Sequence, residues 1–168
     1  GNVLALRQNN IKRLLAYSSI AHAGYVVLAV LSCTPEGLSS IGFYMVVYAF
    51  MNIGAFAVVL ALPDGERIDG YQGIYHLNPA ISLCMLAFMF SLAGIPPFGG
   101  FIAKFLVFKS VIQSGYVLVA LAGIIFSILS AYYYLRIVVK MFFASPDVQL
   151  VYKYRIPSNL KLAIIFNM

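Results

Sequence analysis

Two side chains in this sequence can carry a proton from apolar surroundings: Lys104 and His22. Lys104 lies in "SLAGIPPFGGFIAKFLVF", and the nearest acids along the chain are Asp69 and Asp147. A charge at membrane depth costs roughly 2.5–3.5 kcal/mol even on a lenient insertion scale. A desolvated amine also holds its proton less firmly than one in water, so it can exchange that proton near neutral pH. The competing reading is an amine that snorkels to the interface. That suits Lys109 at the helix end better than Lys104, which lies deeper. His22 sits in "RLLAYSSIAHAGYVVL", with Ser18 at i−4, Ser19 at i−3 and Tyr25 at i+3 on or near one helical face. This group can pass protons through water, or it can tie helices together. Tyr44, Tyr48 and Asn52 form a polar stripe at i, i+4, i+8, and Ser127, Ser130 and Tyr134 form another at i, i+3, i+7. Both stripes read first as packing contacts and second as channel hydration.

The elements that position these groups are apolar helices, one of them broken. Pro96 and Pro97 supply no N–H, and their rings clash with the carbonyls of Leu92 and Ala93 one turn back. Gly94, Gly99 and Gly100 permit the backbone angles and close approach that a break needs. In lipid an unpaired carbonyl costs several kcal/mol, so such a break survives only inside protein or beside water. Broken helices at the midplane are where transporters bind ions. Helical hydrogen bonding is therefore expected to fail between about Gly94 and Phe98.

The composition fits lipid as the solvent: 62% of the 168 residues are hydrophobic and 10% are charged. Runs 14–35, 37–63, 70–103 and 110–135 carry no charge. A span needs roughly 20 apolar residues. The reading is an all-α polytopic transmembrane bundle forming one membrane domain over 1–168. Its helices are placed at about 12–33, 40–62, 79–113 (broken near 94–98) and 116–143, with a further one starting near 158–168. Residues 1–8 read as the tail of an earlier helix, and both ends look cut. Arg7, Lys12, Arg13, Arg67, Arg136, Lys140, Lys153, Arg155 and Lys161 fall on one side, against Lys109 on the other. That asymmetry places the basic side in the cytoplasm, or in a mitochondrial matrix. The net charge of +6 then reports topology and contact with the lipid bilayer, and nucleic acid is not an expected partner. Cys33 and Cys84 read as buried thiols. No nucleotide-binding or metal-binding motif is present, so neither a metal nor a cofactor is expected in this chain.

"QNNIKRLLAYSSIAHAGY", then "FYMVVYAFMNIGAF", then "SLAGIPPFGGFIAKF" resembles the antiporter-like membrane subunits of proton-pumping NADH:quinone oxidoreductase, respiratory complex I. Within that family the likeness is greatest to the subunit N branch, and it runs from about residue 1 to 143. The resemblance implies a fourteen-helix protein with two inverted five-helix repeats. This chain would supply the end of helix 9, helices 10 to 13 and the start of helix 14. It implies that Lys104 is the proton-channel lysine of the broken helix and that His22 lies on a hydrated central axis. The sister subunits carry histidines where this chain has Tyr44, Tyr48 and Asn52. The family's glutamate on helix 5 and lysine on helix 7 have no counterpart here.

The function expected is the outlet half-channel of a proton pump, with other complex I membrane subunits as partners. NADH, flavin, iron–sulfur clusters and quinone would belong to partner subunits. The expected location is the bacterial inner membrane, with the mitochondrial inner membrane or the thylakoid as alternatives. A multisubunit cation/proton antiporter or membrane-bound hydrogenase shares these motifs. A rival of another class is a non-transporting membrane scaffold. The scaffold predicts a dry Lys104 paired to a fixed acceptor, and the pump predicts polar groups and solvent around it.

Overall fold

The computed structural model describes residues 1–145; the expected helix near 158–168, with Lys153, Arg155 and Lys161, lies outside them. Seven helices follow in order: α1 (Asn2–Leu6), α2 (Ile11–Leu31), α3 (Pro35–Ala61), α4 (Ile74–Leu77), α5 (Pro79–Ala93), α6 (Gly99–Gln113) and α7 (Val117–Phe143). A single 3-10 turn at Ile68–Tyr71 precedes α4. Helices α2, α3 and α7 are long and apolar enough to cross a membrane. Helices α5 and α6 have 15 residues each. At 1.5 Å per residue each reaches only about 22 Å, so together they make one interrupted crossing.

Local signals set the helix starts. Asn10 caps α2, its side chain accepting from the Arg13 N–H. Thr34 accepts from the Gly37 N–H with Pro35 next in line, so α3 starts at Pro35, earlier than the expected 40. Asn78 and Pro79 start α5 in the same way. Cys33 is a correction: it is exposed, not buried, in the α2–α3 turn with φ +49°. A turn at a helix end faces outward, whatever the residue's apolar character.

Helix α3 packs on α6, α5 and α2, and α5 packs on α7. Leu14, Leu15, Val58, Met85, Met89, Leu92 and Ile137 form the centre of the packed interior. Leu38, Leu60, Leu118, Ile128 and Phe143 are left on the outside.

The segment between α3 and α5 ties one end of the bundle together. Asn10 and Arg67 form an isolated bridge, and the Ile11 N–H donates to the Glu66 carbonyl at 2.7 Å. The Gly73 N–H donates to the Lys140 carbonyl at 3.1 Å. Ion pairs Lys12–Glu66 and Lys140–Asp69 add to these ties. Lys12, Arg67 and Lys140 therefore share one end of the molecule. Hydrogen bonding by Lys140 first, then the charges of Lys140 and Arg67, hold the Asp69 carboxyl below its ordinary range. A depressed carboxyl stabilises the fold above its unfolded-state value and loses that contribution as pH falls through its folded value. Asp69 is largely exposed, so solvent screening keeps the effect below about 1 kcal/mol. Asp69→Asn is expected to quicken hydrogen exchange at the Gly73 amide severalfold at neutral pH. Wild type and variant should converge on acidification. Equal protection at neutral pH would show that the pair holds nothing.

Candidate functional site: a buried lysine at a broken helix

Helix α5 ends in a Schellman motif. Gly94 takes φ +84°, its N–H donates to the Ser91 carbonyl, and the Ile95 N–H donates to the Phe90 carbonyl. That closure serves Phe90 and Ser91 but not the next two carbonyls, the ones the prolines deprive of partners. Lys104 serves them. Its Nζ donates to the Leu92 carbonyl at 2.9 Å and to the Ala93 carbonyl at 3.0 Å. A third bond goes to Ser127 Oγ of α7 at 3.0 Å. The Tyr25 ring adds a cation–π face, its centroid 5.3 Å from Nζ. The negative end of the α5 dipole favours the same charge. Lys104 is 4% exposed.

The acceptors are two carbonyls and a hydroxyl, not a carboxylate. An ammonium has three N–H donors, and here it has three acceptors. A neutral amine keeps two donors for the carbonyls and turns its lone pair to Ser127, whose O–H can then donate. The same heavy-atom positions thus satisfy both protonation states. Lys104 and Ser127 also line a cavity of about 530 Å³ that runs past Phe101, Phe105 and Phe108 to Lys109 and Gln113. Lys109 and Gln113 lie on the last turns of α6, so the cavity leads from the break toward one membrane face. The site thus has the fixed acceptors that a scaffold predicts, and the cavity beside it is lined mainly by aromatic and aliphatic side chains.

The junction between the half-helices is tight. The Gly100 N–H donates to Ser91 Oγ at 3.1 Å, and Ser91 Oγ also reaches Met51 Sδ at 3.3 Å. Gly100 approaches the Ser91 carbonyl so closely that an added Cβ would stand 1.8 Å from that oxygen. Ser91 is a site residue that sequence reading passed over. Its only signal was a hydroxyl at the end of α5, one turn before the break.

His22 is buried and bonded at both ring nitrogens. Tyr44 Oη lies 2.7 Å from Nδ1, and Tyr134 Oη lies 3.2 Å from Nε2. Tyr134 and Ser18 share a further, short hydrogen bond. Tyr48 stacks on the imidazole at 4.6 Å and donates to Ser19 Oγ, which donates to the Leu15 carbonyl. Ser18, Ser19, Tyr44, Tyr48 and Tyr134 are therefore brought around His22. Asn52 is half-buried further along α3, outside this set. The α7 stripe is divided: Ser127 serves Lys104, Tyr134 serves His22, and Ser130 donates to the Ser127 carbonyl at 2.6 Å. Sequence reading also missed Asn2, which is 7% exposed, accepts from Tyr133 Oη and donates to the Phe126 carbonyl. A polar residue in a short helical stub was its only signal.

A polytopic helical bundle with a discontinuous helix, and a buried amine at the discontinuity, defines an integral membrane protein with an interrupted helix. Comparison with known proteins gives the family. The profile of the family described as NADH:quinone oxidoreductase/Mrp antiporter, TM, matches residues 1–130, and this chain belongs to that family. It is 53% identical over 148 residues to NADH-quinone oxidoreductase subunit N of Trichlorobacter lovleyi, covering 85% of this chain and 30% of the relative. Among solved structures it resembles a chain of respiratory complex I from Thermus thermophilus with bound aureothin. There the TM-score is 0.84 and the identity 35%, covering 99% of this chain and 38% of that one. A chain of the Mrp complex from Dietzia sp. gives a TM-score of 0.80 at 28% identity, covering 87% of this chain and 28% of that one. The chain spans about a third of the length of the curated relatives it matches.

Proposed function

We propose that this chain forms part of a proton-translocating membrane subunit of NADH:quinone oxidoreductase, of the subunit N type, and supplies an outlet half-channel through Lys104. The observation that carries the reading is the setting of the Lys104 amine. It is buried, held by neutral groups that suit either protonation state, and open on one side to the cavity toward Lys109 and Gln113. A carboxylate partner would lock the proton in place; carbonyls and a hydroxyl do not.

His22 extends the path laterally. A neutral imidazole has one donor and one acceptor nitrogen, and both Tyr44 and Tyr134 can play either part. A proton can enter at one nitrogen while another leaves from the opposite one. Oxidation of NADH would take place on partner subunits that hold flavin and iron–sulfur clusters, with quinone reduced there too. The bacterial inner membrane is the proposed location, given the subunit N relative from a bacterium.

The Mrp likeness keeps a cation/proton antiporter as a second reading. Purifying the full-length protein from its own membranes separates the two. Co-purification with NADH-oxidising subunits, and NADH:quinone reductase activity in the same fraction, is the expected result. A stable assembly that exchanges sodium for protons and lacks NADH-oxidising partners would overturn it.

A further inference from the structure

The Lys104 ammonium stands where a free cation would stand. Its Nζ lies 2.9 Å from the Leu92 carbonyl, 3.0 Å from the Ala93 carbonyl and 3.0 Å from Ser127 Oγ. The Tyr25 ring adds its face, with the centroid 5.3 Å away. Edge-on contacts with His22 and Phe108, each at 5.8 Å, hold that ring in place. Carbonyl oxygens can replace the hydration shell of an alkali ion, and a ring face attracts any cation. The negative end of the α5 dipole favours the same charge. No carboxylate belongs to the set, so it suits a single positive charge rather than a divalent ion, which takes carboxylate ligands.

The ligands and the charge come from different helices. Leu92 and Ala93 belong to α5, Ser127 to α7 and Tyr25 to α2, whereas Lys104 belongs to α6. Leu92, Ala93 and Tyr25 are buried and Ser127 is half-buried. The lysine stem reaches them by crossing Gly94, where an added Cβ would stand 2.9 Å from Cδ. The stem is therefore a tether, and the oxygens remain in place without it. Ammonium and potassium are close in size, so N–O separations of 2.9–3.0 Å suit potassium or rubidium better than the smaller sodium.

We infer that the end of α5 is a monovalent-cation site, that the Lys104 ammonium fills it as a tethered ion, and that this occupancy keeps free alkali cations out of the break. The inference extends the proposed function to specificity, since a residue that denies the site to metal ions leaves protons as the only charge exchanged there. The site itself does not depend on Lys104 releasing its proton.

The test is Lys104→Ala in the full-length subunit, made by cell-free synthesis into lipid nanodiscs. Alanine removes the stem beyond Cβ, leaving room for a free ion and the waters that complete its shell. Wild type and variant are made in rubidium, n-propylammonium or choline chloride at equal ionic strength. n-Propylammonium replaces the missing atoms, and choline is too bulky to enter. Wild type should give the same yield of monodisperse protein in all three salts. The variant's yield should fall about threefold or more in choline and recover in rubidium or n-propylammonium, because a ligand that binds only the folded state stabilises it. Elemental analysis should find about one more rubidium per chain in the variant than in wild type, and adding Ser127→Ala should lower that excess severalfold. A variant that folds equally well in choline and binds no extra rubidium overturns the inference, and so does one that folds poorly in every salt. Failure of rubidium to bind leaves the carrier role of Lys104 standing. Normal proton transport by Lys104→Arg would remove the carrier role and leave the cation site standing.

Discussion

Lys104→Arg in the full-length subunit is expected to assemble with its complex and to fail at proton transport. The reasoning turns on what the amine does besides carry charge. It closes the end of α5 by bonding the carbonyls of Leu92 and Ala93. Lys104→Met removes those donors and leaves two buried carbonyls unpaired, at about 1–3 kcal/mol each. A defect in that variant could therefore come from the break itself. Arginine keeps several N–H donors and a permanent positive charge, so it can still close the helix. It cannot release its proton. The scaffold reading accordingly predicts that arginine rescues what methionine loses. The carrier reading predicts that arginine restores assembly, while proton transport falls by about a hundredfold or more and NADH:quinone turnover is depressed with it. Assembly on native gels, NADH:quinone turnover and vesicle acidification read the three effects separately. Normal transport by Lys104→Arg would remove Lys104 from the proton path.

The break was legible because proline chemistry is local. Two adjacent prolines in a long apolar run determine which carbonyls lose their partners, and those are the carbonyls Lys104 reaches. That Lys104 is their partner was not legible. The contact needs the first turns of α6 to pack against the last turn of α5, and its third bond comes from Ser127 on α7, 23 residues away. The same limit applies around His22. Helical spacing put Ser18, Ser19 and Tyr25 on its face, but its bonds go to Tyr44 on α3 and Tyr134 on α7, 22 and 112 residues away. The serine–tyrosine pattern on α7 read as one stripe, yet its members serve two sites, because a helix wedged between neighbours presents successive turns to different partners. Cys33 misled for a related reason: an apolar thiol next to an apolar run is buried only if the chain does not turn there.

The second large effect falls on neighbouring glycines that look alike in the sequence. Gly99 and Gly100 both begin α6, but only one is pressed against backbone. A Cβ at Gly99 would rest 3.4 Å from a Val47 methyl. A Cβ at Gly100 would stand 1.8 Å from the Ser91 carbonyl oxygen and 2.6 Å from its carbon. A side chain can rotate away from a methyl group, but the end of a helix cannot move without carrying the helix. Gly100→Ala is thus expected to force α5 and α6 apart and to lengthen the bond from the Gly100 N–H to Ser91 Oγ. Overpacking of this kind costs about 1–3 kcal/mol, and backbone against backbone belongs at the upper end. Gly99→Ala should keep near-normal levels of assembled complex in membranes, whereas Gly100→Ala should lose most of it. The surviving Gly100→Ala complex should also transport slowly, because a displaced α5 end carries the Leu92 and Ala93 carbonyls away from Lys104. Equal assembly of the two variants would mean that the halves of the broken helix are not held at this crossing, and that the geometry around Lys104 does not depend on it.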